Sequence, residues 1–276
     1  MPVFSIHNHS VFYKQEGSDG TRVLLGHSSA STGGQWKAFM AGMSDQYQLL
    51  APDHIGYGKT ASFAGTPDIY TLEVDALEHI LNMQEGAIHL VGHSYGGLLV
   101  GQLALRHPTR IRSLTLVEPT FFHLLNLHGK QEAFLEIRSV AERVIHLSAL
   151  DKDKEAARGF IDYWVGAGGF DRMKEKIQAF IVAAMPKVAL EFQTIFDLAG
   201  NLHQSLPALT CPKLLVSGGK STQAAHGVVE ILRDYWPDAT TWMLDEGGHM
   251  LPVSHPKPVN ARIKAFILDV DAKMVG

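Results

Sequence analysis

What this chain of 276 residues lacks narrows what it can be. Its one cysteine, Cys211, excludes an intrachain disulfide. The start, Met1-Pro2-Val3-Phe4-Ser5-Ile6-His7, has no basic segment leading into an apolar run, and no stretch approaches the ~20 apolar residues of a membrane span. The expectation is a cytoplasmic protein with no membrane partner. A charge excess is also missing: 24 Lys and Arg against 28 Asp and Glu give a formal net charge of -4 with the signs interspersed, so no nucleic-acid partner is implied. No cysteine or histidine–carboxylate cluster has metal-ligand spacing, so neither a metal nor an organic cofactor is expected. There is no internal repeat and no low-complexity linker.

What is present fits a globular enzyme. A hydrophobic fraction of 46% and a charged fraction of 19% are ordinary for such a protein, and the length suffices to bury a core without covalent staples. Short apolar, β-rich runs alternate with segments of helical period, the pattern of a mostly parallel sheet covered by helices. In order, the runs are Phe4 to His7, Ser10 to Lys14, Val23 to Leu25, Gln48 to Ala51, Ile88 to Val91, Leu114 to Val117, Lys213 to Ser217 and Thr240 to Leu244. They predict a sheet of about eight strands with an antiparallel start. Between Val117 and Lys213 the alternation stops. Phe134, Ile137, Val140, Val144 and Leu147 recur at helical steps, as do Ile177, Phe180, Ile181 and Ala184 before Pro186 interrupts the helix. Residues 120–207 therefore read as an inserted helical cap on a core of 1–119 and 208–276. Val259, Ile263, Phe266 and Ile267 form a closing amphipathic helix.

The chemistry is concentrated in Leu90-Val91-Gly92-His93-Ser94-Tyr95-Gly96-Gly97, which follows an apolar strand and opens a helical run. A serine on a tight strand-to-helix turn is held in a strained backbone conformation, and glycines two before and two after it let strand and helix pass closely. Ser94 is the candidate nucleophile. The amide of Tyr95, at the positive end of the helix, is placed to meet a developing oxyanion. After the last strand comes Gly247-Gly248-His249, a histidine on a loop at the sheet's far end. Imidazole titrates near neutrality, so His249 is the candidate general base. Among the 15 histidines, position singles it out, since His93 lies inside the turn and His255 precedes a helix-opening proline. The small-residue loop from His27 to Gly34 offers a second oxyanion amide, from Ser29 or from Ser28. Gly56-Tyr57-Gly58-Lys59-Thr60 mimics the tail of a phosphate loop, but Asp53 stands where the first glycine belongs.

These ordered motifs resemble the α/β-hydrolase superfamily over nearly the whole chain: the His27-Ser28 loop, Asp53-His54-Ile55-Gly56-Tyr57-Gly58, the turn at Gly92 to Gly96, and Gly247-Gly248-His249. The resemblance implies an α/β-hydrolase fold with an eight-stranded, mostly parallel sheet, a cap between the sixth and seventh strands, and no cofactor. The aspartate such relatives carry after the seventh strand is absent, and Ser221 stands there. Glu118, at the end of the sixth strand and followed by Pro119, is the expected third triad member; Asp245 and Glu246 are alternatives, as is a plain surface ion pair for Glu118.

The expected activity is hydrolysis of a small or medium carboxylic ester through an acyl-serine. The same residues could cleave a thioester, a lactone or a carbon–carbon bond, and a non-catalytic ligand receptor on this fold is the reading from another class. The substrate is expected to be a small molecule, touching His27, Phe122, Tyr163 and Trp164, although packing within the cap explains any one of the aromatics equally well. Homo-oligomerisation is left open.

Overall fold

The computed structural model describes residues 2–7, 9–60, 63, 68–83, 85–197 and 202–275. Its apolar runs become the strands β1 (Val3–Ile6), β2 (His9–Glu16), β3 (Thr21–Gly26), β4 (Tyr47–Pro52), β5 (Ile88–His93), β6 (Ile111–Val117), β7 (Lys213–Gly218) and β8 (Thr240–Leu244). They form one sheet in the order β1-β2-β4-β3-β5-β6-β7-β8. β2 pairs antiparallel with β1 and β4, and every other pairing is parallel. β5 and β7 are buried at every residue, which is why they read as unbroken apolar runs. On β3 the two faces separate: Val23 and Leu25 pack with Trp36, Phe39 and Ile263, while Leu24 packs with Ile69, Leu77 and Leu98.

The helices are α1 (Lys37–Ala41), α2 (Ile69–Asn82), α3 (Tyr95–Arg106), α4 (His123–Leu127), α5 (Gln131–Ser148), α6 (Asp153–Val165), α7 (Glu175–Asp197), α8 (Leu202–Ser205), α9 (Gln223–Tyr235), α10 (Leu251–Ser254) and α11 (Pro256–Val275). Side-chain caps mark two starts: Asp68 accepts from the Thr71 amide before α2, and Thr222 from the Ala225 amide before α9. The chain between β6 and β7 holds α4 to α8. Its α5 buries Ala133, Ile137, Ala141 and Val144, a stripe displaced from the expected one onto its alanines.

Two expectations about α7 need correction. The helix does not stop at Pro186 but runs through it. A proline inside a helix removes a hydrogen bond and crowds the preceding turn, at about 3 kcal/mol. Here α7 packs against α2, α4, α5 and α6, and the buried Lys187 directly after the proline is clamped by Glu73 and Glu191. The absence of a membrane-length stretch is also overturned. Glu175–Phe196, 22 residues, is long and apolar enough to cross a bilayer by length and composition, and half of its most apolar window is buried inside the protein.

Candidate active site

The site assembles at the carboxyl ends of the parallel strands, where an open α/β sheet leaves room for ligands. β5 leads into α3 through Ser94, whose φ of 56° lies in the left-handed region. That turn is crowded. A Cβ on Gly96 would sit 2.4 Å from the Gly26 carbonyl carbon, and one on Gly92 would sit 2.5 Å from the Gly96 oxygen, so only glycine allows this approach of α3 to β3 and β5. The strain at Ser94 is balanced by fixed main-chain bonds, with its amide donating to Val117 O at 3.0 Å. β6 ends one residue before Glu118, also at positive φ, whose amide donates to Val216 O at 3.0 Å.

These turns bring together three residues distant in sequence. Ser94 Oγ–H donates to His249 Nε2 at 3.0 Å, and His249 Nδ1–H donates to Glu118 Oε2 at 2.8 Å. The tautomer follows from the partners, since the carboxylate can only accept. Glu118 is itself held on both oxygens: Oε1 accepts from the Gly218 amide at 2.7 Å and Oε2 from the Ser221 hydroxyl at 2.6 Å. Ser221 thus supports the carboxylate from the position where an aspartate was expected. All three members of the row are buried. The His249 ring lies under the indole of Trp164, with centroids 3.8 Å apart and planes 25° apart, and its main-chain oxygen accepts from His93 Nε2–H at 2.9 Å.

Of the two loop amides considered for the oxyanion, that of Ser28 already donates to Gln35 Oε1 at 3.2 Å. Ser29 lines both cavities beside Ser94, and no described residue accepts from its amide or from that of Tyr95. The larger cavity, about 350 Å³, is walled mainly by apolar residues of α6, α7 and α10, among them Ile161, Trp164, Ile181 and Val253. Ile177 and Phe180, two of the apolar residues that recur at helical steps, are 47% and 39% exposed and stand at this wall. A smaller inner cavity runs between Ser94, Phe122, Phe160 and Phe192.

Not every expected contact is at the cavities. Phe122 lines the inner one and Trp164 lines both. His27 and Tyr163 line neither. His27 is wholly buried: its Nδ1–H donates to Ser28 O at 2.7 Å and its Nε2 accepts from the His54 amide at 2.9 Å, so no nitrogen is left for a ligand. Burial drops its pKa to about 3, and burial likewise holds His54 and His93 well below the usual histidine range. The Tyr163 hydroxyl turns away to donate to Glu136 at 2.6 Å. The mimic of a phosphate loop is a structural clasp: Asp53 accepts from the Gly33 and Lys59 amides, and the Thr60 hydroxyl donates to Asp53 O.

Next to the row lies a cluster that the sequence did not announce. Lys187 Nζ is 2.7 Å from Glu191 and 3.1 Å from Glu73, with Tyr57 donating to Glu191 at 2.8 Å and Tyr95 to Glu73 at 2.5 Å. All five are buried. The only sequence signal was a lysine and a glutamate four residues apart in an otherwise apolar helix. Among the described residues, no group of three or more His, Cys, Asp or Glu side chains could hold a metal.

Known proteins similar to this chain can now be set beside it. The chain is 24% identical over 265 residues to a protein of Azorhizobium caulinodans provisionally named carbamate hydrolase RutD, covering 95% of this chain and 96% of that one. It is 23% identical to a pimeloyl-acyl-carrier-protein methyl ester esterase of Pectobacterium atrosepticum, covering 93% and 98% of the two chains. The solved structure of a thermophilic esterase from Thermogutta terrifontis superposes with a TM-score of 0.72 at 22% identity, covering 95% and 94%. A family model described as the alpha/beta hydrolase family matches residues 23–262, and this chain, an enzyme of the hydrolase class, belongs to that family.

Proposed function

We propose that the protein hydrolyses small or medium carboxylic esters through an acyl-serine intermediate, with residues 120–207 acting as the cap over the site. The observation that carries this reading is the unbroken row of hydrogen bonds from Ser94 Oγ through His249 to Glu118. Ser94 Oγ attacks the ester carbonyl carbon as its proton passes to His249 Nε2. Glu118 fixes the tautomer and balances the imidazolium that forms. The carbonyl oxygen becomes an oxyanion facing the Ser29 and Tyr95 amides, each such donor being worth roughly 10²–10³ in kcat. His249 returns the proton to the departing alkoxide. Water then repeats the sequence on the acyl-serine and frees the acid.

Two further features support the reading. The indole face of Trp164 lies against the ring that becomes cationic, where a cation–π attraction favours the transition state over the ground state. The apolar cavity of about 350 Å³ suits an alkyl or aryl ester group. Relatives named for carbamate and methyl ester hydrolysis act, by those names, on related carbonyl groups. A small-molecule substrate and a cytoplasmic setting complete the reading, the single buried Cys211 needing no oxidising compartment.

The test is a series of p-nitrophenyl esters of graded acyl length, assayed with wild type and Ser94→Ala side by side, together with a fluorophosphonate probe. Turnover should fall at least about 10⁴-fold in the variant, and the probe should label Ser94. Near wild-type hydrolysis by Ser94→Ala would rule out the covalent route.

A further inference from the structure

Two buried polar atoms beside Ser94 have no hydrogen-bond partner among the described residues. The inner cavity has Phe122, Phe160, Phe192 and Ile195 in its walls, yet Thr120 and Glu191 line it as well. Thr120 Oγ1 and Glu191 Oε2 are buried and, among the described residues, neither makes a hydrogen bond. An apolar wall is where an unmet polar atom is hardest to tolerate. The remainder of each residue is held. Glu191 Oε1 accepts from Lys187 Nζ at 2.7 Å and from the Tyr57 hydroxyl at 2.8 Å, leaving Oε2 as the oxygen with capacity to spare. The Thr120 amide donates to Ser94 O at 3.3 Å, which ties this threonine to the nucleophile's own turn.

We propose that Glu191 and Thr120 form a specificity subsite for a hydroxyl group carried by the substrate, close to the scissile carbonyl. The proposal rests on the ester-hydrolase reading above and names the substrate class within it. A carboxylate oxygen only accepts, whereas a threonine hydroxyl both donates and accepts. A group that meets both must donate to Glu191 Oε2, and a hydroxyl does so while it can also accept from Thr120 Oγ–H. A ketone or ether oxygen cannot donate to the carboxylate, and a methyl group bonds to neither atom. Size restricts the group further, because the inner cavity has room for about one water molecule. The hydroxyl therefore sits on a short branch, and the bulk of the ester lies in the outer, apolar cavity.

Matched esters differing in one group test this. On the acyl side the pair is methyl 3-hydroxybutanoate and methyl 3-methylbutanoate; on the alcohol side it is 2-hydroxypropyl butanoate and 2-methylpropyl butanoate. In at least one pair the hydroxy ester should have the higher kcat/KM by about tenfold or more, since a site built to bond a hydroxyl discriminates strongly against its absence. Thr120→Val keeps the side chain's shape and removes only the unpaired hydroxyl, so it should fold, as read by thermal unfolding, and bring that ratio to within about threefold of one. Glu191→Gln should lower the ratio in the same direction. Equal or faster turnover of the methyl members in both pairs, or a ratio that survives Thr120→Val, would show that the two atoms hold an ordered water only.

Calorimetric titration of Ser94→Ala with the same four esters separates this proposal from the catalytic one. Tighter binding of a hydroxy ester, lost on adding Thr120→Val, upholds the subsite even if the fluorophosphonate fails to label wild-type Ser94. Equal affinities, or no binding of any of the four, overturn the subsite even where Ser94 is labelled and esters are cleaved.

Discussion

Two buried polar clusters lie side by side in this molecule, and they are built on opposite plans. Ser94, His249 and Glu118 come from three strand-end turns and form a line in which each donor has one acceptor, so the proton on Ser94 Oγ has a path to leave. Lys187, Glu73 and Glu191 come from helices α2 and α7 and form a cage of compensating charge. Burial pushes Lys187 down, but Glu191 and Glu73 outweigh it and its pKa ends up raised. Burial raises the Glu73 carboxyl to about 7 against the pull of Lys187. Tyr95 joins the two, with its amide beside the nucleophile and its hydroxyl on Glu73. The first cluster holds one bond that can break toward a substrate; the second surrounds its buried cation with two carboxylates and leaves Glu191 Oε2 without a hydrogen bond among the described residues.

The comparison breaks most sharply at Glu118. Glu118→Gln keeps size and polarity but removes the charge that, in the proposed mechanism, balances the imidazolium, so kcat should fall by roughly two to four orders of magnitude with little change in folding. A loss below about threefold would move the acid to another residue, with Asp245 and Glu246 next to be tried.

Lys187→Met should do the reverse, acting first on stability. It leaves two buried carboxylates facing each other without their cation, and breaking a buried pair from one side costs about 3–5 kcal/mol. The loss should grow with pH. A carboxyl whose folded pKa lies above its unfolded value binds its proton more tightly in the native state, so stability declines as pH rises through that window. Urea unfolding at pH 6 and pH 8 checks both points, and a variant as stable as wild type at pH 8 would show that the cage is ornamental.

The buried histidines give a smaller effect of opposite sign. His27, His54 and His93 have folded pKa values below the ordinary 6.5, the first at about 3. Below pH 6.5 the unfolded chain takes up protons that the native state refuses, so stability falls with falling pH, by up to about 1.4 kcal/mol per pH unit for each histidine. Glu73 runs the other way but is one group against these three, and burial also lowers His89 and His123 to about 4. Unfolding free energies at pH 7, 6 and 5 should decline progressively. A flat profile would mean that these rings are protonated in place.

Much of this organisation was readable in advance, for a physical reason. Buried parallel strands such as β5 and β7 need continuous apolar runs, and the eight expected strands fell within a few residues of their observed ends. The turn at Ser94 needs glycine at 92 and 96, and that local demand writes a pattern into the sequence. Glu118 was legible as a carboxylate at a strand end once Ser221 was seen in place of an aspartate. The rest depended on side-chain direction, which no local pattern encodes. His27 and Tyr163 were expected at the substrate, but each turns its polar atoms toward the protein's own groups. Trp164 was expected there too, and its stacking on His249 was not foreseen. The continuous α7 and its lysine cage were hidden because Pro186 ends helices in isolation, whereas tertiary packing decides the matter here.

Ser221→Ala offers the finest test of how the reacting row is held. Its hydroxyl donates at 2.6 Å to Glu118 Oε2, the same oxygen that accepts from His249. Without it, Glu118 keeps the Gly218 amide on Oε1 and the imidazole on Oε2, so the charge remains but its direction is less fixed. A single hydrogen bond to a charged group contributes about 1.5–3 kcal/mol in general, and a carboxylate with two surviving donors should lose the lower part of that range. We expect kcat to fall by about tenfold, with KM nearly unchanged because Ser221 lines neither cavity. Ser221→Thr restores a hydroxyl at the same place and should recover most of the rate, which a purely structural role for the serine would not require. If both variants kept wild-type kcat, the Gly218 amide alone would suffice to hold Glu118, and the serine would be a remnant of packing.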